Sequence, residues 1–179
     1  MPFGEIMKKD HKIFWPPNEE MAMSVLGFTA ADKAALPVRI DDETEIKIAT
    51  LSGIFILKII AWKDRHQRNN KDADDIGFIL ENYLSIHEER AATHYYDAVY
   101  GQEPFKNTTG GAVLLGKDSK ELLEKHTETV DSILKILNEE IDKKEESKLI
   151  NQIIETHKSL NYDEVLQCIE NIVNGLNEK

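Results

Sequence analysis

Residues 50–84 read TLSGIFILKIIAWKDRHQRNNKDADDIGFILENYL. Apolar residues recur three and four apart on either side of a short polar tract, and few breakers interrupt them. The spacing predicts helices over 51–66 and 71–84, joined by a short loop and therefore antiparallel. The first helix is apolar on every side from Ile54 to Ala61 except at Lys58, so that lysine leaves a mostly buried helix and needs a partner. Lys58 shares a face with Ile54, Phe55, Ala61, Trp62 and Arg65, which sets two cations on one stripe with an indole between them. On the second helix, Asp72 and Asp75 fall in line with Ile76, Ile79 and Tyr83. The two carboxylates extend the buried stripe, whereas Asp74 points elsewhere. An inward carboxylate also needs a partner, and a place near a helix N-terminus favours its charge.

Two readings of this spacing stand side by side. In one, Lys58 and Arg65 pair with Asp72 and Asp75 and pin the two helices, with Asn70 capping the second. In the other, the same groups face a ligand. The loop residues Lys63, Arg65, His66, Arg68 and Lys71 make the one dense basic patch of an acidic chain. Such a patch either approaches a triphosphate or RNA or is solvated surface.

Outward from this centre the character changes. Residues 1–50 are punctuated by Pro, Gly and Asp, with short apolar segments, as strands between turns are. PVRIDDETEIKIAT at 37–50 predicts a hairpin, Val38 and Ile40 alternating before the Asp41-Asp42 turn and Ile46 and Ile48 after it. A strand over 21–26 follows the rigid Pro16-Pro17 pair. Downstream, helices are expected over 86–100, 119–139, 141–158 and 162–176, with Leu122, Ile133, Leu137, Ile153, Ile154 and Leu166 turned inward. The expected fold is α+β, divided into a β-containing part at 1–50, a helical motif-bearing region at 51–118 and a helical extension at 119–179.

A chain of 179 residues can bury one contiguous core. Its 41% hydrophobic and 31% charged composition is globular, and no apolar run reaches the ~20 residues of a membrane span. The single cysteine, Cys168, makes a reducing cytoplasm the default expectation and is itself read as a small buried residue. A net charge of −11 opposes sequence-independent binding to nucleic acid or anionic lipid. His87, Glu88 and His94 lack the four-residue spacing of zinc-binding helices, and no residue is assigned as a metal ligand. Gly110-Gly111 and Lys117 stand in the wrong order for a phosphate loop and read as a helix start. Tyr95, Tyr96 and Tyr100 read as packing residues.

The ordered pairs Leu57-Lys58, Ala61-Trp62, Asp64-Arg65, Lys71-Asp72 and Asp75-Ile76 resemble the LKxxAWxDR…KDxxDL signature of the AbiEii-like, abortive-infection type of nucleotidyltransferases. PFG at 2–4, WPP at 15–17, VLGF at 25–28, EIKIATLSG at 45–53 and LLGKD at 114–118 are similar to segments of that family in the same order. The likeness extends to about Lys125. It implies that the N-terminal strands are the remnant of a nucleotidyltransferase sheet packed on a C-terminal helical bundle. It also implies nucleotide transfer from an NTP, with magnesium, to an RNA or protein hydroxyl. Lys58 would then contact nucleotide phosphate, Asp72 and Asp75 would orient it or the lysine as further catalytic residues, and Arg65 and Lys71 would complete the nucleotide site.

The family's metal-holding acids are a Gly-Ser-led aspartate pair and a third acid just before the PFG segment. Clustered carboxylates are what hold the divalent ion that bridges the phosphates. Here Met1 directly precedes Pro2, and no Gly-Ser-led pair occurs elsewhere. Asp72 and Asp74 have the bare spacing, but on a helix their side chains diverge by roughly 200°. The expectation is a truncation, one piece of a split enzyme, or an inactive remnant, with magnesium entering only with the missing half. NTP, an RNA acceptor, and an antitoxin or the missing N-terminal half are the implied partners. Unpaired strand edges and bare apolar surface predict self-association. The competing class is a non-catalytic nucleotide-binding or helical protein-interaction module.

Overall fold

The computed structural model describes residues 12–14 and 22–178. The PFG segment and the Pro16-Pro17 pair lie outside them. The architecture is α+β with helix dominant. β1 (Lys12–Phe14) pairs antiparallel with β2 (Ala22–Ser24), and α1 (Phe28–Lys33) follows. β3 (Leu36–Arg39) and β4 (Glu45–Ile48) form the expected hairpin, in a register that sets Val38 opposite Ile46 and Leu36 opposite Ile48. The two ladders are separate two-stranded sheets rather than one. The hairpin connection is longer than an Asp41-Asp42 turn. Ile40 N–H reaches Thr44 O at 2.9 Å, and Asp41 Oδ1 accepts from the Glu43 and Thr44 amides at 2.9 and 2.7 Å.

Next come α2 (Leu51–Arg65), α3 (Lys71–Ile86), α4 (Glu88–His94), α5 (Tyr96–Tyr100), α6 (Asn107–Leu122), α7 (Thr127–Asp142), a 3-10 turn at Lys144–Glu146, α8 (Lys148–Thr156) and α9 (Tyr162–Asn177). Thr50 starts α2, its Oγ1 accepting from Gly53 N–H at 3.1 Å, so one otherwise unpaired first-turn donor is satisfied. Asn70 does not cap α3 with its side chain. Asn69 Oδ1 instead accepts from Lys71 N–H at 3.1 Å.

Three downstream boundaries differ from the sequence expectation. The helix expected over 86–100 is two, broken at His87 and at Tyr95. His87 leaves helical geometry while its ring packs 4.5 Å from that of Tyr83. The helix expected over 119–139 is also two, because α6 already begins at Asn107 and stops at Leu122, while α7 begins at Thr127. The stretch at 141–158 holds a 3-10 turn before α8. Buried Glu140 forces that break: it accepts from Ser147 Oγ at 2.9 Å and from Leu149 N–H at 3.1 Å, and Ser147 Oγ caps α8 at Ile150 N–H.

One core runs from Ala30 to Leu176. Ile133, Leu137 and Ile153 are buried in it, and Leu122, Ile154 and Leu166 pack partly buried against it. α6 lies between α3 and α9, while α3 also packs on α2 and α8. The α6–α9 crossing is close because two glycines meet there. A Cβ on Gly116 would stand 2.9 Å from Ile172 O, and one on Gly175 would stand 2.8 Å from the carbonyl carbon of Gly116. No described helix is long and apolar enough to cross a membrane.

Candidate functional site

Lys58 in the middle of α2 and Arg65 at its end meet Asp72 and Asp75 in the first two turns of α3. Arg65 grips Asp72 with two parallel bonds, Nε to Oδ2 at 2.6 Å and Nη2 to Oδ1 at 2.7 Å. Lys58 Nζ reaches the same Asp72 Oδ1 at 3.2 Å and also contacts Asp75 Oδ2. The structure thus joins all four residues of the predicted stripe. The acids are not equivalent, however: the Asp72 side chain is 2% exposed and that of Asp75 48%. Asp72 alone is an inward carboxylate. Asp75, one helical turn further, stands at the rim.

Electrostatics follow from that asymmetry. Burial alone would push the Asp72 carboxyl upward, but Arg65 and Lys58 outweigh it and hold the group below its usual range. Burial likewise works against the Lys58 ammonium, and its hydrogen bonds to Asp75 and Asp72 more than offset this, so the amine is held above its ordinary value. Both groups are charged at neutral pH. Their pairing satisfies what would otherwise be a costly buried ion.

An open cleft of about 520 Å³ lies beside this network, lined by Lys58, Arg65, Asn69, Lys71, Asp74 and Asp75. Lys71 makes no ion pair among the described residues. Three cations, Lys58, Arg65 and Lys71, meet three anions, Asp72, Asp74 and Asp75, so the local charge sums to zero. Two further members of the basic patch have partners within the fold. Lys63 Nζ bonds Glu139 Oε2 at 2.6 Å, and the His66 ring stacks 4.5 Å from that of Trp62.

Other residues of the motif hold the end of α2 in place. Trp62 Nε1 donates to Gln152 Oε1 at 2.7 Å, and Gln152 Nε2 donates to His66 O at 3.0 Å, which ties α8 to the α2–α3 loop. Asp64 Oδ2 accepts from Ser24 N–H at 3.1 Å, which ties β2 to the same turn. Asp118, of the LLGKD segment, accepts from Tyr83 Oη at 2.7 Å and from Arg90 Nε at 2.7 Å. Arg90 continues to Glu121 at 2.8 Å, and Tyr95 Oη donates to the other Glu121 oxygen. Helical spacing within 83–95 cannot reveal this network, since its acids come from α6.

Among the described residues, no three His, Cys, Asp or Glu side chains are placed to hold a metal ion, and Asp72 and Asp75 are engaged by cations. Gly110 and Gly111 lie in the first turns of α6. Tyr96, Tyr100 and Phe105 form a chain of tilted rings 5.1 and 5.4 Å apart. Cys168 is buried, which pushes its thiol up to about 12. Compared with protein-family models, with curated proteins and with solved structures, the chain matches none of them.

Proposed function

We propose that this chain is the accessory, nucleotide-binding part of a nucleotidyltransferase-type protein, and that the cleft between α2 and α3 receives the nucleotide's phosphates. The observation that carries this reading is the position of Lys58, an ammonium held by a buried acid on one side and a half-exposed acid on the other, at the wall of an open cleft. Asp72 fixes Lys58 and Arg65 in place before any ligand arrives, which lowers the ordering cost of binding. Asp75 is the displaceable partner. An exposed ion pair is worth about 0–1 kcal/mol, so a phosphate oxygen can take its place at Lys58. Lys71 supplies a third cation.

The reaction class, nucleotide transfer to an RNA or protein hydroxyl, rests on the likeness of the 57–76 motif to AbiEii-like proteins. Magnesium and the acids that hold it would come from outside the described residues. An antitoxin or the half that carries those acids is the corresponding protein partner. The zero charge balance of the cleft favours a second reading, a non-catalytic helical module in which the same network only pins two helices.

Calorimetric titration of the full chain with ATP, with and without magnesium, separates the two. Saturable binding is expected. Lys58→Met should weaken it at least tenfold, about 1.4 kcal/mol, and Asp75→Asn should strengthen it by removing the competing charge. Absence of ATP binding in the parent chain, with Lys58→Met acting only on thermal stability, would establish the pin. Incubation with labelled NTPs, magnesium and total RNA then tests for transfer.

A further inference from the structure

His157 ends α8, and its ring lies across the backbone of α3 at Gly77. A Cβ at position 77 would overlap His157 Cδ2 and stand 2.8 Å from Nε2, so glycine is what lets the ring sit against the helix. Nδ1 is 2.7 Å from Glu81 Oε2. Nε2 is 2.9 Å from the Asp74 carbonyl oxygen and 3.3 Å from Asp74 Oδ1. Every one of these partners is an oxygen that accepts. A neutral imidazole carries one N–H and one lone pair, so either tautomer would set a lone pair against an oxygen lone pair. The imidazolium, with two N–H donors, satisfies both sides.

We propose that protonated His157 is a pH-sensitive latch that fastens the connection between α8 and α9 onto α3, and that the latch releases as the ring loses its proton. Among the described residues, the groups around it come from three elements. From α3 come the carboxylates of Asp74 and Glu81. From its own connection, Ser159 Oγ donates to the second Glu81 oxygen. From α9, the Glu164 carboxylate adds a repulsive field at Glu81. Burial disfavours the charged ring, and Glu81 and the Asp74 carbonyl outweigh that, holding His157 above its ordinary 6.5. A raised folded value makes the latch complete below pH 6.5 and loses it as pH rises through the folded value.

Leu160, buried in the core, is the side chain the latch keeps seated, and its amide bonds His157 O at 3.1 Å. Asp74 also lines the α2–α3 cleft, so release is felt at the first turn of α3. The latch rests on ring geometry and stands or falls apart from the nucleotide-binding reading.

The test is a ring-nitrogen NMR titration of the full chain from about pH 5.5 to about pH 8.5, with the hydrogen-exchange protection factor of Leu160 followed in the same samples. Both ring nitrogens should carry protons well past pH 6.5, with one midpoint above it, and Leu160 protection should fall at least tenfold across that midpoint. Glu81→Gln should lower the midpoint and move the loss of protection with it. A midpoint at or below 6.5 in the parent chain, or a protection factor that is flat across the titration, overturns the latch. The parent titration decides by itself if the variant does not fold.

Discussion

At the scale of the residue, Asp72 is the group on which the candidate site depends. It is the buried member, it accepts three hydrogen bonds from two cations, and both cations stand partly in solvent. Removing one partner of a buried pair costs about 3–5 kcal/mol, whereas an exposed pair costs about 0–1 kcal/mol. Asp72→Asn is therefore expected to destabilise the fold several times more than Asp75→Asn in urea unfolding. The pH dependence has a definite sign. Because the folded carboxyl is held below its unfolded value of about 3.9, Asp72 stabilises fully above that pH and ceases to do so as pH falls through the folded value. Acid unfolding of Asp72→Asn should accordingly be shallower than that of the parent. The convergence of these groups was legible because a helix repeats every 3.6 residues and a short loop forces antiparallel packing. The bidentate grip of Arg65 and the difference between the two acids were not, since they depend on where each turn meets the core. His157 left no sequence signal at all, because its partners lie 76 and 83 positions away.

Among elements, the α6–α9 crossing shows what spacing alone misses. Neither Gly116, noted in sequence only within the LLGKD segment, nor Gly175 announces a helix crossing, since helical glycines usually read as weak points. In the fold each removes a Cβ from the path of the other helix. Gly175→Ala should cost more than the gain in helix propensity of about 1 kcal/mol, with a net loss of about 1–3 kcal/mol by denaturant unfolding. The backbone of Gly116 is the obstacle, and backbone cannot step aside as a side chain can. The helices that were legible, α2, α3 and α9, are those whose start follows a polar or capping residue, Thr50, Asn70 and Asn161. The misplaced boundaries lie where tertiary contacts interrupt a pattern that would otherwise continue. Glu140 draws the amide of Leu149 away from helical continuation, and the region around Leu123 sinks into the core between α6 and α7.

For the whole molecule, one core joins the motif-bearing helices to the C-terminal ones, with α6 as the shared wall. The β3–β4 hairpin stands apart from that core. Leu36, Ile40, Ile46 and Ile48 are 59, 59, 44 and 46% exposed, and the register places Leu36 with Ile48 and Val38 with Ile46 on one side of the ribbon. On the opposite side, Lys47 lies 3.7 Å from Asp32 of α1, so the apolar side is turned outward. Mutual repulsion between strongly anionic molecules opposes the meeting of such ribbons, and that repulsion is tunable. It vanishes as pH approaches the isoelectric point near 5.0. Sedimentation should report heavier species on acidification from pH 7 toward 5.5 or on adding salt, and a double Ile46→Thr, Ile48→Thr change should suppress them. The acidity of this chain then acts as a colloidal guard over an oily blade.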